Sequence, residues 1–361
     1  MSERSSRSRI AALAAGLVSA SLLLAAVAPA LAQSPAASVR ASKITKMAYI
    51  SPEQANDYGW NQQGAEGAQA AAASIGATLE MADGSGYDDP TPILHQLGDN
   101  GAQLIIAQAG GYSTPGSQFA AETKIPVIVY DRPDLISPNL VGDIATDSQE
   151  GGYLAGVLAA TMSKTGTLGI VISADDTNWH KQEGGFIQGA LATKPDIKFA
   201  RAQIGPAGYG DAPGGKSTTE TVIAGGADIV FGMGDGSSFG MLQAVETATP
   251  PAGADKVWFI DVIGNKSDPK VDPNGVLLSS VLWNFTGAFE DAIAQIDAGT
   301  FGTSVYTLDV ANGGISLLQT PNISADAATA VAAALSGISD GSITVKSTAT
   351  ADEVSALLPA N

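Results

Sequence analysis

Three tryptophans stand beside carboxylates and amides in short polar segments: Asp57-Tyr58-Gly59-Trp60-Asn61, Asp175-Asp176-Thr177-Asn178-Trp179-His180 and Trp283-Asn284. Asp131-Arg132, Asp261 and the glycine-rich turn Gly232-Met233-Gly234-Asp235-Gly236 have a similar polar setting. Indole faces stack on flat rings, while Asp and Asn exchange hydrogen bonds with hydroxyls and ring nitrogens. This is the chemistry of a pocket for a polyhydroxyl compound or a flat heterocycle. It is poor chemistry for catalysis. The chain has no cysteine and only two histidines, His95 and His180, so base and nucleophile chemistry has little to draw on. No Gly-x-Ser-x-Gly elbow occurs, and the acidic pairs Asp88-Asp89 and Asp175-Asp176 are adjacent, which does not set the separation that a glycosidase needs. Zinc sites of the usual His and Cys type are nearly ruled out, and no metal or cofactor is expected.

Two phosphate-like motifs fail on spacing. In the turn from Gly232 to Gly236 the third glycine comes one residue early for a dinucleotide fingerprint, and Asp235 sits among the supposed phosphate donors. Gly214-Gly215-Lys216-Ser217 lacks the upstream glycine of a P-loop and reads as a turn. Trp258 lies inside an apolar run and reads as core; His95 lies in a helical segment and reads as structural.

Short β-rich runs alternate with Ala-rich helical segments, which predicts parallel sheets covered by helices. Strands are expected near 46–51, 78–82, 104–108 and 126–130. The rhythm restarts at 140–144 and continues through 167–172, 197–204, 228–232, 257–260 and 276–282. Helices are expected over 60–75, 90–97, 117–123, 149–162, 182–192, 217–224, 239–246, 285–298 and 325–335, with short strands near 306–310 and 315–318. Two such units make two doubly wound lobes, and ligands of such sheets sit beyond the carboxyl ends of the strands. The polar segments named above follow strands in both lobes.

The amino terminus speaks to compartment. Arg4, Arg7 and Arg9 precede an apolar run over 10–27, and Pro29-Ala30-Leu31-Ala32 offers a small-x-small cleavage site, so 1–32 reads as a cleavable secretory signal peptide. About 330 residues follow, enough for two domains. Loss of the leader takes the formal charge from −18 to about −20, an acidic surface that repels nucleic acid and anionic lipid. Without cysteine there is neither a disulfide nor a lipid-modified terminal cysteine, so a soluble, monomeric protein of the periplasm is expected.

In the order and spacing of its landmarks the chain resembles type I periplasmic binding proteins of ABC importers. Within them it looks most like the basic membrane protein family, whose best understood members bind purine nucleosides. The landmarks are the turn Asp57-Tyr58-Gly59-Trp60-Asn61, Asp131, Glu150-Gly151-Gly152-Tyr153-Leu154-Ala155-Gly156, Gly185-Phe186 with Gly189, Gly226-Ala227-Asp228-Ile229-Val230, the turn from Gly232 to Gly240, Asp261, and Leu278-Ser279-Ser280-Val281.

The resemblance implies an α/β fold of two doubly wound parallel-sheet lobes joined by three crossover segments and closing like a hinge on ligand. It implies an N-terminal lobe of 44–140 plus 283–305 and a C-terminal lobe of 141–282 plus 306–345, while the flexible segment 33–43 and the Ser/Thr-rich tail at 346–361 read from composition as mobile termini. Carried over by position, Trp60 and Trp179 become an aromatic sandwich, Asn61 and Asp131 lie near a base, and Asp261 accepts from a ribose. Asp57, Tyr58, His180, Gly234 and Asp235 complete the candidate ligand contacts, read from the segments that follow strands rather than from the resemblance. Trp283 stands where the nucleoside binders carry a lysine, and Asp131-Arg132 resembles the pair with which sugar-binding relatives grip ring hydroxyls. The implied function is capture of a nucleoside, or alternatively of a pentose or hexose, for an ABC permease of the inner membrane. A ligand-presenting sensor would share the same cleft.

Overall fold

The computed structural model describes residues 40–359; the expected leader and segment 33–39 lie outside the described residues. The chain runs β1 (Lys46–Ile50), α1 (Trp60–Ile75), β2 (Thr78–Ala82), α2 (Thr91–Asp99), β3 (Ile105–Ala107), α3 (Ser113–Thr123), β4 (Val127–Tyr130) and β5 (Val141–Thr146). It continues through α4 (Ser148–Met162), β6 (Thr167–Ile172), α5 (Thr177–Thr193), β7 (Lys198–Gln203), α6 (Ala212–Ala224), β8 (Ile229–Met233), α7 (Ser237–Thr247), β9 (Trp258–Ile263) and β10 (Leu277–Trp283). The last elements are α8 (Thr286–Ala298), β11 (Val305–Leu308), β12 (Ile315–Leu317), α9 (Ala325–Ser339) and α10 (Ala351–Ser355).

Strands such as Val127–Tyr130 and Ile229–Met233 are buried at every position, as expected of sheets covered on both faces. The first sheet has the order β11-β5-β4-β3-β1-β2 and is parallel throughout; the second has the order β12-β10-β9-β8-β6-β7, with only β12 antiparallel. The chain passes between the sheets three times, from β5 to α4 and β6, from β10 through α8 to β11, and from β11 to β12. The α/β architecture of two doubly wound lobes is therefore present. Its boundaries differ from the sequence reading. Val141–Thr146 pairs with β4, and Val305–Leu308 pairs with β5, so both belong to the first lobe, where a break at 140/141 and another at 305/306 had been expected.

Helix α4 packs against α5 at backbone contact. A Cβ on Gly152 would meet the Gln182 carbonyl oxygen at 2.1 Å, and one on Gly156 the Phe186 carbonyl oxygen at 2.1 Å. Gly185 and Gly189 answer from the other helix, against the carbonyls of Gln149 and Tyr153. These glycine landmarks are thus explained by packing. The motif Gly214-Gly215-Lys216-Ser217 lies within α6 rather than in a turn. The tail is not loose either: Thr348 and Val354 are fully buried, and the Thr348 hydroxyl donates to the His180 carbonyl at 2.7 Å. Residues 40–43 of the segment expected to be flexible are also tied down, Arg40 N–H to Ser74 and Lys43 to Asp297. Trp258, expected in the core, is half-buried beneath the Lys256 ammonium, 4.3 Å above its ring.

Candidate functional site

A cavity of about 310 Å³ opens between the carboxyl ends of the two sheets, at the lower end of the ~300–1,000 Å³ usual for small-molecule sites. Trp60, Asn61, Tyr130 and Asp131 line it from the first lobe; Asp176, Asn178, Trp179, Asp235, Ile263 and Trp283 line it from the second.

Trp60 is the first residue of α1 and is held rigidly. Its ring meets Tyr130, Trp283 and Phe285 edge to face, with centroids 5.0, 5.8 and 5.4 Å away. Its Nε1–H donates to the Gln108 carbonyl at 2.9 Å, and the Gln108 side chain is fixed in turn by the Tyr130 hydroxyl. Trp179 stands in the first turn of α5, its Nε1–H donating to Ser173 Oγ at 2.9 Å and its ring tilted against Tyr209. Asp176 caps that helix through the Asn178 and Trp179 amides and accepts from the Tyr209 hydroxyl at 2.9 Å. Both indoles thus have fixed orientation before any ligand arrives.

The lobes touch around the cavity. Asn178 Nδ2 of the second lobe donates to Asp131 Oδ2 of the first at 2.9 Å, and Asn178 Oδ1 accepts from Thr146 at 2.8 Å. Burial raises the Asp131 carboxyl above its ordinary value, while the Asn178 bond and the Lys181 charge hold it down. Asp235 faces the amino end of α1. There Asp57 has taken the Gly59, Asn61 and Gln62 amides, leaving the Trp60 N–H toward Asp235. Burial and the Asp57 charge push Asp235 up to about 7, against the opposing pull of Lys266 and that amide. Asp143, behind Asp131, is pushed up to about 6 by burial although the Arg132 N–H holds it down.

Of the twelve expected site residues, the structure brings Trp60, Asn61, Asp131, Trp179, Asp235 and Trp283 to the cavity. Six go elsewhere. Asp57 is the capping carboxylate of α1, and Tyr58 gives its carbonyl to Lys266 Nζ at 3.0 Å. Arg132 grips no open site: its guanidinium forms a bidentate pair with Asp134 at 2.7 and 2.8 Å. His180 is buried, 2.7 Å from Asp175 and 3.7 Å from Glu183, which with Asp175 raises its pKa. Gly234 makes room for the Ser237 hydroxyl. Asp261 is fully buried inside β9, accepting from Ser238 Oγ at 2.8 Å and paired with Lys266 Nζ at 2.6 Å, so it is not free for a ribose.

Position 263, two residues further along, is what reaches the cavity. Ile263 has φ 71°, and the Gly264 N–H closes a γ-turn on the Val262 carbonyl at 2.9 Å, a strained conformation for a β-branched residue. That turn carries Gly264 and Lys266 onto the first lobe. Tyr112, Tyr130, Tyr209, Asp176, Asn178 and Lys266 were not in the expected set. The same strand-end logic would have found several: Tyr130 ends β4, while Tyr112 and Tyr209 lie in the segments after β3 and β7.

Among the described residues no helix is long and apolar enough to cross a membrane, and no cluster of potential metal ligands occurs. The sequence model of the family described as "ABC transporter substrate-binding protein PnrA-like" matches residues 44–346. An ABC transporter nucleoside-binding protein, BmpA, from Lactococcus lactis is 29% identical over 311 residues, covering 81% of this chain and 86% of that protein. Basic membrane protein A1 of Borrelia garinii is 28% identical over 52% of this chain and 54% of its own length. Among solved structures, a solute-binding protein of an ABC transporter system from Conexibacter woesei superposes with a TM-score of 0.70 at 21% identity, covering 84% of this chain and 99% of that one. The arabinose-binding protein AraP of Geobacillus stearothermophilus superposes with a TM-score of 0.59 at 17% identity, over 78% and 98%.

Proposed function

The chain belongs to the PnrA-like family of ABC transporter substrate-binding proteins, and from that premise we propose that it captures a nucleoside between its lobes and delivers it to an ABC permease. The observation that carries the reading is the pair Trp60 and Trp179, one rigid indole from each lobe on one cavity, with Asn61, Asp131 and Asp235 beside them. Two aromatic faces suit a flat base, at roughly 1–3 kcal/mol per face. The nucleoside-binding relative from L. lactis supports the same ligand class.

Two observations favour this reading over a sugar. Arg132, which would grip ring hydroxyls, is turned to Asp134, and Ile263 and Trp283 give the cavity apolar surface. Working in the periplasm behind a cleaved leader, the protein meets ligand in an open form. Ligand contact with both lobes then favours the closed form, and differential contact with that form is the source of the switch.

The test is a thermal-shift screen of the leader-free protein with purine nucleosides, free bases, pentoses and hexoses at millimolar concentration, followed by calorimetry. Mass action makes even a micromolar binder raise the midpoint. A rise with adenosine, guanosine or inosine is the expected result. A rise confined to pentoses or hexoses sinks the nucleoside reading.

A further inference from the structure

The last residues of the chain bear on the ligand site from behind. The family model matches as far as 346, and the described residues continue to 359. That continuation is packed onto the second lobe. Thr348 and Val354 are fully buried, and α10 lies against α5. Lys346 and Gln188 of α5 exchange two bonds, Lys346 N–H to Gln188 Oε1 at 3.0 Å and Gln188 Nε2 to the Lys346 carbonyl at 2.8 Å. Where Thr348 enters, α5 carries Gly184, and a Cβ there would stand 2.1 Å from Thr348 Oγ1. The glycine is a notch that this side chain fills. From it the Thr348 hydroxyl donates to the His180 carbonyl at 2.7 Å, the partner that a buried hydroxyl needs.

From His180 the contacts run on to the cavity. The His180 N–H donates to the Asp176 carbonyl at 2.9 Å, and its ring lies 2.7 Å from Asp175. The Asp176 carboxylate in turn holds the Asn178 and Trp179 amides. Asn178 and Trp179 line the cavity, and Asn178 reaches Asp131 of the first lobe at 2.9 Å. Helix α5 is therefore gripped from two sides, by α4 at Gly185 and Gly189 and by the tail at Gly184.

We propose that the tail is a strap that positions the ligand-bearing turn 175–180, with Thr348 as its positioning residue, and that ligand capture depends on its seating. The positioning rests on the packing alone. Its effect on capture rests on the reading of Asn178 and Trp179 as ligand contacts. A site ordered before ligand arrives spares the ligand the cost of ordering it, which is how a side chain outside the cavity adds to affinity.

Three variants of the leader-free full chain test it. Gly184→Ala puts a methyl in the notch that Thr348 fills, while alanine inside a helix favours α5 itself, so a looser turn would not come from a weaker helix. Thr348→Val removes the hydroxyl, and Thr348→Ser keeps it. The indole N–H groups of Trp60 and Trp179, both bonded within the protein, report side by side in one NMR spectrum. Hydrogen exchange at Trp179 is expected to quicken at least about tenfold in Gly184→Ala and Thr348→Val. It should stay within about twofold of the parent in Thr348→Ser, as should Trp60 in every variant. Unchanged exchange at Trp179 overturns the strap. So does equal quickening of both indoles, because a tail that only adds global stability would move them together. Calorimetry with adenosine reads the effect on capture, which is expected to be about fivefold weaker in Gly184→Ala and Thr348→Val and restored in Thr348→Ser. Parent affinity beside a quickened Trp179 overturns the dependence of capture on the strap. Adenosine silent with the parent ends the nucleoside reading, and exchange at Trp179 then decides the strap by itself.

Discussion

The lobes meet at two seams that handle polar groups in opposite ways. Around Lys266 the protein satisfies itself. The buried ammonium of the second lobe bonds the Tyr58 carbonyl of the first and pairs with Asp261, while Gly264 lies so close that a Cβ would be 2.0 Å from the Tyr58 oxygen. At the cavity, the bonds of Asn178 with Asp131 and Thr146 cross between the lobes, but Asn61 Oδ1 and Trp283 Nε1 are left without partners. One seam therefore favours closure with nothing bound, and the other favours it more strongly when filled. Affinity reflects both, because a ligand adds only its differential contact to an equilibrium that the first seam has already biased.

The sharpest way to break the comparison is Lys266→Met. It leaves Asp261 buried and uncompensated, and destabilisation of about 3–5 kcal/mol is expected in urea unfolding. Adding Asp261→Asn should recover much of the loss. A loss under about 1 kcal/mol would mean that the ammonium is not held as described. Gly264→Ala separates closure from folding. The added methyl meets backbone atoms of the opposite lobe, so each lobe stays folded by circular dichroism while affinity falls about 100-fold, some 2.7 kcal/mol. Small-angle scattering should then report an open form at ligand concentrations that close the parent; a closed variant would show that this seam yields.

Trp179→Leu acts on the other seam. It loses the stacking face, together with buried volume and the bond to Ser173, so a drop of about 1–3 kcal/mol in nucleoside affinity is expected alongside a lower midpoint. Unchanged binding would remove Trp179 from the site.

What was legible in the sequence follows the same division. Trp60, Asp131 and Trp283 could be found because they end strands or follow them, and strand ends of doubly wound sheets face the cleft. Asp261 ends the apolar run just as plausibly, but its fate depends on a lysine five residues on that returns to it only through the γ-turn at Ile263. No propensity predicts a β-branched residue at φ 71°. Arg132 shows a related limit: Asp134, two residues later, competes for the guanidinium, and such local chelation is invisible to a comparison by position. The lobe boundary shows another limit. Periodicity counts strands but does not say which sheet takes β5, and its partner β11 comes from the far end of the chain. The tail was misjudged on composition, since two buried side chains, Thr348 and Val354, anchor a stretch of small polar residues.

Acidity affects both seams more gently. Asp235 at about 7, Asp143 at about 6 and Asp131, also raised, hold their protons more tightly folded than unfolded. Between the ordinary carboxylate range near 4 and these folded values the native state carries more protons, so stability rises as pH falls through that window. His180 adds in the same direction: its stabilisation is complete below about 6.5 and is lost as pH rises through its raised folded value. The unliganded midpoint should therefore be about 2–3 °C higher at pH 5.5 than at pH 8. The opposite slope would mean that these carboxylates are solvated, and that the lobes stand apart without ligand.

The smallest effect discriminates between ligand classes. Arg132→Ala removes a guanidinium that is bound to Asp134 at the surface and makes no contact with the cavity. An exposed pair of this kind is worth about 0–1 kcal/mol to stability, and nucleoside affinity should change by less than about twofold. Were the cleft a carbohydrate site gripped by Asp131 and Arg132, the same substitution would leave ring hydroxyls without their bidentate donor and lower sugar affinity by about tenfold or more. Calorimetry of this one variant with adenosine and with arabinose therefore asks whether the guanidinium stays with Asp134 when ligand arrives. A tenfold loss would show that Asp134 is only its resting partner.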